Sequence, residues 1–288
     1  MTPDPATPSP TTRRPPRRWR RRVRRALLAL GVAAGTSLGV SCIHIPANNP
    51  AYPATNAEVH AAMARMRAHP VGVDRPVLVL SGWHAPPGGA WHLAREIRSL
   101  TGADKDQVAY LSYMWANDLD PLGDRVVDFV DEKWPTDDPE RTTEVDIVAI
   151  SMGGLVARWA AADRADGSRR LRIGTLYTLA TPHRGAKIAE PFPIEPAACE
   201  MTAGSDFLAH LDAELERADY EIVPYAVLHD WMVGATRSAP PGQDPIWTAG
   251  RVGLAHHLVS YEDRIVADIA LRLRAEAPLA SPSPPPRD

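Results

Sequence analysis

The chain has 288 residues, 44% of them hydrophobic, enough for one large α/β core. Its net charge of -3 hides an asymmetry: nine arginines and Asp4 put +8 on residues 1–42, which leaves -11 on the rest. An acidic body argues against nucleic acid as a partner, and two cysteines, Cys42 and Cys199, exclude a disulfide framework and leave at most one bridge.

In chain order, residues 1–16 are rich in Thr and Pro, a composition that stays disordered. R-R-W-R-R-R-V-R-R follows, ending at Arg25, and then an uncharged run from Ala26 to Ile43. A basic stretch ahead of a short apolar one predicts an export signal over 1–42. The apolar run is also just long enough to cross a bilayer as an uncleaved anchor. Either form keeps the arginines in the cytoplasm and puts the body outside it, in the cell envelope or secreted. L-G-V-S-C resembles a bacterial lipobox, which implies lipidation of Cys42 and attachment to a membrane. Ser41 fits the small residue before the cysteine, whereas Gly39 stands where the pattern has Leu. Lipoprotein, uncleaved anchor and cleaved secretion all stay open.

Residues 43–75 read as a tether full of turn formers leading into a short helix, with Asn56 as its cap, Glu58 in its first turn and its end near Ala68. From Pro76 onward, strands and helices alternate. P-V-L-V-L-S-G-W is a buried strand and A-W-H-L-A-R-E-I-R-S-L an amphipathic helix that stops at Thr101-Gly102. Q-V-A-Y-L-S-Y, E-V-D-I-V-A-I and L-R-I-G-T-L-Y-T-L-A supply further strands. L-G-D-R-V-V-D-F-V-D-E-K-W and G-L-V-A-R-W-A-A-A-D-R supply the helices between them. E-I-V-P-Y-A-V-L is a later strand, and residues 276–288 a Pro-rich, disordered tail. Short apolar runs alternating with helical ones predict a mostly parallel sheet over 76–275 with helices on both faces. In such sheets ligands bind at the carboxyl ends of the strands.

One serine stands at such an end. In V-D-I-V-A-I-S-M-G-G-L-V-A-R-W, Ser151 falls where the strand becomes a helix, with Gly153 and Gly154 after it. A sharp turn there lifts the hydroxyl above the sheet edge and tolerates little bulk around it. The alternative reading is a plain helix cap. A-I-S-M-G-G-L-V-A-R resembles the G-H-S-M-G-G-L-V-A-R of the α/β-hydrolase superfamily, in its lipase-like branch, with Ala149 in place of the first glycine. A-T-P-H-R-G-A, from Ala180, and A-G-S-D-F-L-A-H-L, from Ala203, resemble two further segments of that branch in the same order. The resemblance covers about residues 76–274.

That resemblance implies an α/β-hydrolase fold and a serine esterase or lipase activity, with a Ser, Asp, His order along the chain. Asp230 stands where the family has its acid, before Val233, with Gly234 in place of a proline. Asp206, Asp219 and Asp244 are rivals: Asp206 sits at a helix start, and Asp219 precedes its strand at the wrong sheet edge. Two adjacent histidines offer the base. His256 lies nine residues before Ile265, which begins an apolar helix face with Ile269 and Leu273; His257 gives a poorer face. His183 belongs to T-P-H-R-G and is not assigned as base. The backbone N–H groups of Met152 and Trp83 are the implied oxyanion donors.

No cofactor or metal is called for: His84, His92, His210 and His229 are scattered without ligand spacing. The segment from His183 to Ser205 is too short for a large lid domain. Trp83, Trp91, Trp115, Phe192, Trp231 and Met232 lie near the expected active edge and suit an acyl chain or another hydrophobic ester, either a small molecule or a lipid. The same residues would serve an acyltransferase or a glycolipid deacylase. A reading from another class is a non-catalytic binding protein of the cell envelope.

Overall fold

The computed structural model describes residues 49, 51–114, 118–163, 167–190, 193–251 and 253–286. The expected signal or anchor, Cys42, Trp115 and Phe192 lie outside them.

Six strands form one parallel sheet: β1 (Val77–Leu80), β2 (Val108–Leu111), β3 (Val145–Ile150), β4 (Ile173–Leu179), β5 (Glu221–Val227) and β6 (Ile246–Thr248), in spatial order β2-β1-β3-β4-β5-β6. The order turns back between β1 and β3, and all residues of β1 and β3 are buried because helices cover both faces. Helices α1 (Asn56–Ala68), α2 (Gly88–Thr101) and α7 (Asp263–Leu273) pack on one face. Helices α3 (Asp120–Lys133), α4 (Met152–Ala161) and α6 (Asp206–Leu215) pack on the other. Alternate strand residues divide accordingly: Val77, Val79 and Val148 join the first core, Leu78, Leu80 and Ile147 the second. Between β4 and α6 the described residues form only the turn Lys187–Ala189 and the five-residue α5 (Pro196–Glu200), so no large lid covers the sheet edge.

Four expectations from the sequence need correction. Thr55, not Asn56, caps α1: its side chain accepts from the Glu58 N–H, and Glu58 reaches back to the Thr55 N–H. Nor does α1 stand apart from the 76–275 body. Val59, Met63 and Met66 are buried against the same core as α7, and the Arg274 guanidinium donates to the Leu100 carbonyl at 2.8 Å and the His69 carbonyl at 2.8 Å, at the ends of α2 and α1. The Pro-rich tail is pinned as far as Ser283, whose N–H donates to Pro245 O at 3.1 Å. Leu279 and Ala280 donate backbone N–H groups to the buried Asp268 carboxylate at 2.6 and 3.2 Å, and Ser281 N donates to Ala51 O at 3.0 Å. Finally, β6 adds a sixth strand that its short run I-W-T does not announce.

Candidate active site

Among the described residues, four of the five non-glycine residues with positive φ follow the carboxyl ends of strands: His84 after β1, Ser151 after β3, Ala180 after β4 and His229 after β5. Such conformations cost about 1–3 kcal/mol each and gather where a fold must present a group sharply. Ser151 is one of them, with φ 53° and ψ -126° at the junction of β3 and α4. Its N–H donates to Leu179 O at 2.8 Å, and its carbonyl accepts from Thr181 Oγ1 at 2.7 Å and Gly154 N at 3.1 Å. The S-M-G-G spacing follows from close approach. A Cβ on Gly153 would stand 2.6 Å from Ser81 O, and one on Gly154 would stand 2.3 Å from Thr181 Oγ1. Ala149, in place of the family's first glycine, is fully buried between β1 and β4, where its methyl joins the core.

The turn after β5 supplies a carboxylate. Asp230 is buried, and its Oδ1 accepts from the N–H groups of Met232 at 2.9 Å and Val233 at 3.0 Å. Its Oδ2 lies 2.8 Å from His256 Nδ1, and His256 Nε2 lies 2.9 Å from Ser151 Oγ. The carboxylate can only accept, so Nδ1 carries the ring proton and the Nε2 lone pair faces the serine hydroxyl. The structure thus brings Ser151, Asp230 and His256 into one hydrogen-bonded chain. His257 stands outside it, with its ring edge toward His256 at 6.1 Å between centroids, and burial lowers its proton affinity. Asp219 pairs with Arg141 at 2.5 Å, away from the site. Asp206 lies in the first turn of α6, where Ser205 provides the cap.

His183 is fully buried but faces other partners. Arg158 Nη1 donates to its Nδ1 at 3.1 Å, and its Nε2 lies 3.1 Å from Thr178 Oγ1. Burial, and then the Arg158 charge, hold its proton affinity well below that of an ordinary histidine. It knits α4 to the loop after β4.

Among the described residues, no hydrogen bond engages the backbone N–H of Trp83 or Met152. Met152 N belongs to the first turn of α4, where N–H groups have no intrahelical partner and the helix dipole favours negative charge. The Trp83 ring and Ser151 line a cavity of about 660 Å³. Ile150, Ile188, Met201, Met232 and Val233 add apolar walls, while His84, His257, Ser260 and Tyr261 are polar exceptions. Two residues expected at this edge are not in the walls: Trp91 is exposed on α2, and Trp231 is exposed with its Nε1 donating to Gly253 O at 3.3 Å. Ile188, Met201 and His84, which sequence reasoning did not place in the walls, do line it. Among the described residues no group of His, Cys, Asp and Glu is arranged to hold a metal ion.

Residues 92–212 match the family described as "Putative serine esterase (DUF676)", a span that holds Ser151 and both of its flanking strands. The fold is that of an α/β-hydrolase. The chain is an ester hydrolase, similar over these residues to the serine esterase family. No curated protein matches it. Solved structures similar to this hydrolase are distant in sequence. A Bacillus licheniformis lipase in mature form is 14% identical over 60% of this chain and 82% of its own, with a TM-score of 0.44. The product of the gene lin2722 from Listeria innocua is 13% identical over 70% and 95%, with a TM-score of 0.49. A phospholipase from Legionella pneumophila is 16% identical over 57% and 44%, with a TM-score of 0.44.

Proposed function

We propose that the hydrolase cleaves carboxylic esters through an acyl-enzyme on Ser151, with His256 as base and Asp230 as its orienting acid. The observation that carries this reading is the unbroken Asp230–His256–Ser151 hydrogen-bond chain opening into an apolar cavity. The His256 Nε2 takes the Ser151 proton as Oγ attacks the ester carbonyl. The resulting oxyanion is received by the backbone N–H groups of Met152 and Trp83. The protonated ring then gives its proton to the departing alkoxide, and water repeats the sequence on the acyl-serine. Asp230 stabilises the imidazolium without taking its proton.

The cavity suits the hydrophobic acyl part of an ester, lipid esters included. The Arg-rich segment and the apolar run after it support action outside the cytoplasm, attached to a membrane or secreted. Mass spectrometry of the mature N-terminus tests the tether: a lipidated N-terminal Cys42 supports the lipoprotein form, and an unmodified Cys42 inside the mature chain contradicts it.

Hydrolysis of p-nitrophenyl butyrate tests the chemistry. Ser151→Ala is expected to lower kcat/KM by at least ~10⁴-fold. Equal, slow hydrolysis by both proteins would favour a non-catalytic binding protein instead.

A further inference from the structure

The loop after β1 carries Trp83, one of the two oxyanion donors assigned above. It folds as a turn closed by Ala85 N donating to Gly82 O at 3.3 Å, with Trp83 and His84 at its centre. His84 takes the left-handed conformation there, with φ 47°, which a β-carbon disfavours. Something outside the turn must hold it.

The His84 ring provides that hold. Its Nδ1 lies 3.1 Å from the Met114 carbonyl oxygen, just beyond β2. Its Nε2 lies 3.0 Å from Glu195 Oε2, just ahead of α5. The ring also packs on the Trp83 indole, with centroids 4.8 Å apart. A carbonyl and a carboxylate can only accept, so meeting both requires a proton on each nitrogen. With a proton on each nitrogen, the ring ties together three segments that are far apart in sequence.

We propose that His84 is a positioning residue: as an imidazolium clamped between Met114 O and Glu195, it holds the turn that presents the Trp83 N–H to the reacting carbonyl. This rests on the acyl-enzyme reading and on Trp83 as a donor. The groups that meet the ring are the Met114 carbonyl beyond β2, Glu195 ahead of α5 and the Trp83 indole, while His256 and His257 line the same cavity. The hydrogen bond to Glu195 raises the ring's proton affinity above that of an ordinary histidine, against the effect of burial. The clamp is complete at low pH and is lost as pH rises through that raised value. A neutral ring has one proton for two acceptors and must release one of them.

Two variants at Glu195, a partly exposed residue, test this without disturbing the core. Steady-state hydrolysis of p-nitrophenyl butyrate is measured from about pH 6 to about pH 10, which brackets an ordinary and a raised histidine. Glu195→Ala removes one anchor and is expected to lower kcat by about 10-fold to 100-fold, part of the loss that follows removal of an oxyanion donor, with KM little changed. Glu195→Gln is expected to keep the wild-type kcat at neutral pH, because its amide oxygen accepts from the ring. At higher pH its amide can turn and donate to the neutral ring, so the alkaline decline of the wild type should disappear. A Glu195→Gln profile that superimposes on the wild type, or an unchanged kcat in Glu195→Ala, would overturn the clamp. Wild-type activity that survives Ser151→Ala would instead overturn the acyl-enzyme reading beneath it.

Discussion

Two buried histidines, His256 and His183, stand at the same sheet edge, each bracketed by two hydrogen-bonding side chains. At His256 the partner behind Nδ1 is a carboxylate, so the lone pair is left on Nε2, aimed at a hydroxyl that opens on the cavity. At His183 the partner at Nδ1 is the Arg158 guanidinium, which can only donate. The tautomer is reversed: Nδ1 accepts, and Nε2–H donates to the Thr178 hydroxyl inside the core. A base is made less by the imidazole than by what stands behind it and what lies open in front. The sign of one neighbour separates a proton acceptor from a structural rivet.

The sharpest way to break this contrast is to give His256 the wrong neighbour. Asp230→Asn places an amide behind the ring, which can donate to Nδ1 as Arg158 does to His183. We expect a fall in kcat of about 10⁴-fold with little change in KM or folding, read by steady-state hydrolysis and circular dichroism. The converse change is structural. His183→Ala strips Arg158 and Thr178 of a buried partner and is expected to cost about 2–3 kcal/mol in urea unfolding. Arg158 keeps Leu211 O at 2.7 Å and Asp212 at 3.0 Å, so the variant should still fold, with kcat per folded molecule within about threefold of wild type.

Much of the fold was legible because its signals are local. Short β-branched runs such as V-D-I-V-A-I can be satisfied only by burial on both faces, and the helices between them carry one apolar face. The serine turn was legible from its S-M-G-G pattern, although the close approaches that require Gly153 and Gly154 come from Ser81 after β1 and Thr181 after β4. His256 and Asp230 needed the family's chain order as well, because nothing near either residue reveals that they meet Ser151. What escaped depends on partners distant along the chain. Asp268 binds the tail segment, Arg274 closes two helices, and Glu195 reaches His84, 111 positions away. Thr55 and Asn56 are both residue types that cap helices, and only the reciprocal bond with Glu58 decides between them.

Smaller effects sharpen the comparison. His257 lines the cavity beside His256 but has no carboxylate of its own, so His257→Ala should cost less than about 10-fold in kcat/KM and leave labelling of Ser151 intact. A loss as large as that of His256→Ala would reverse the choice between them. The smallest effect is one of stability. Burial holds the Glu200 carboxyl up at about 6, beside Asp118 and Asp120, while its oxygen accepts from Leu119 N at 3.4 Å. Folding therefore favours its protonated form, and wild-type stability declines as pH rises from the ordinary carboxylate range through about 6. Glu200→Gln keeps the acceptor and removes the charge. It should raise stability by less than ~1 kcal/mol at slightly alkaline pH, after screening by solvent, and not at all in acid.

The central claim is that one serine oxygen is made nucleophilic by the ring beside it. Fluorophosphonate labelling followed by peptide mass spectrometry reads this directly. The account predicts one adduct, on Ser151, absent from Ser151→Ala and strongly slowed in His256→Ala. Labelling of another residue, or equal labelling of the wild type and Ser151→Ala, would contradict it.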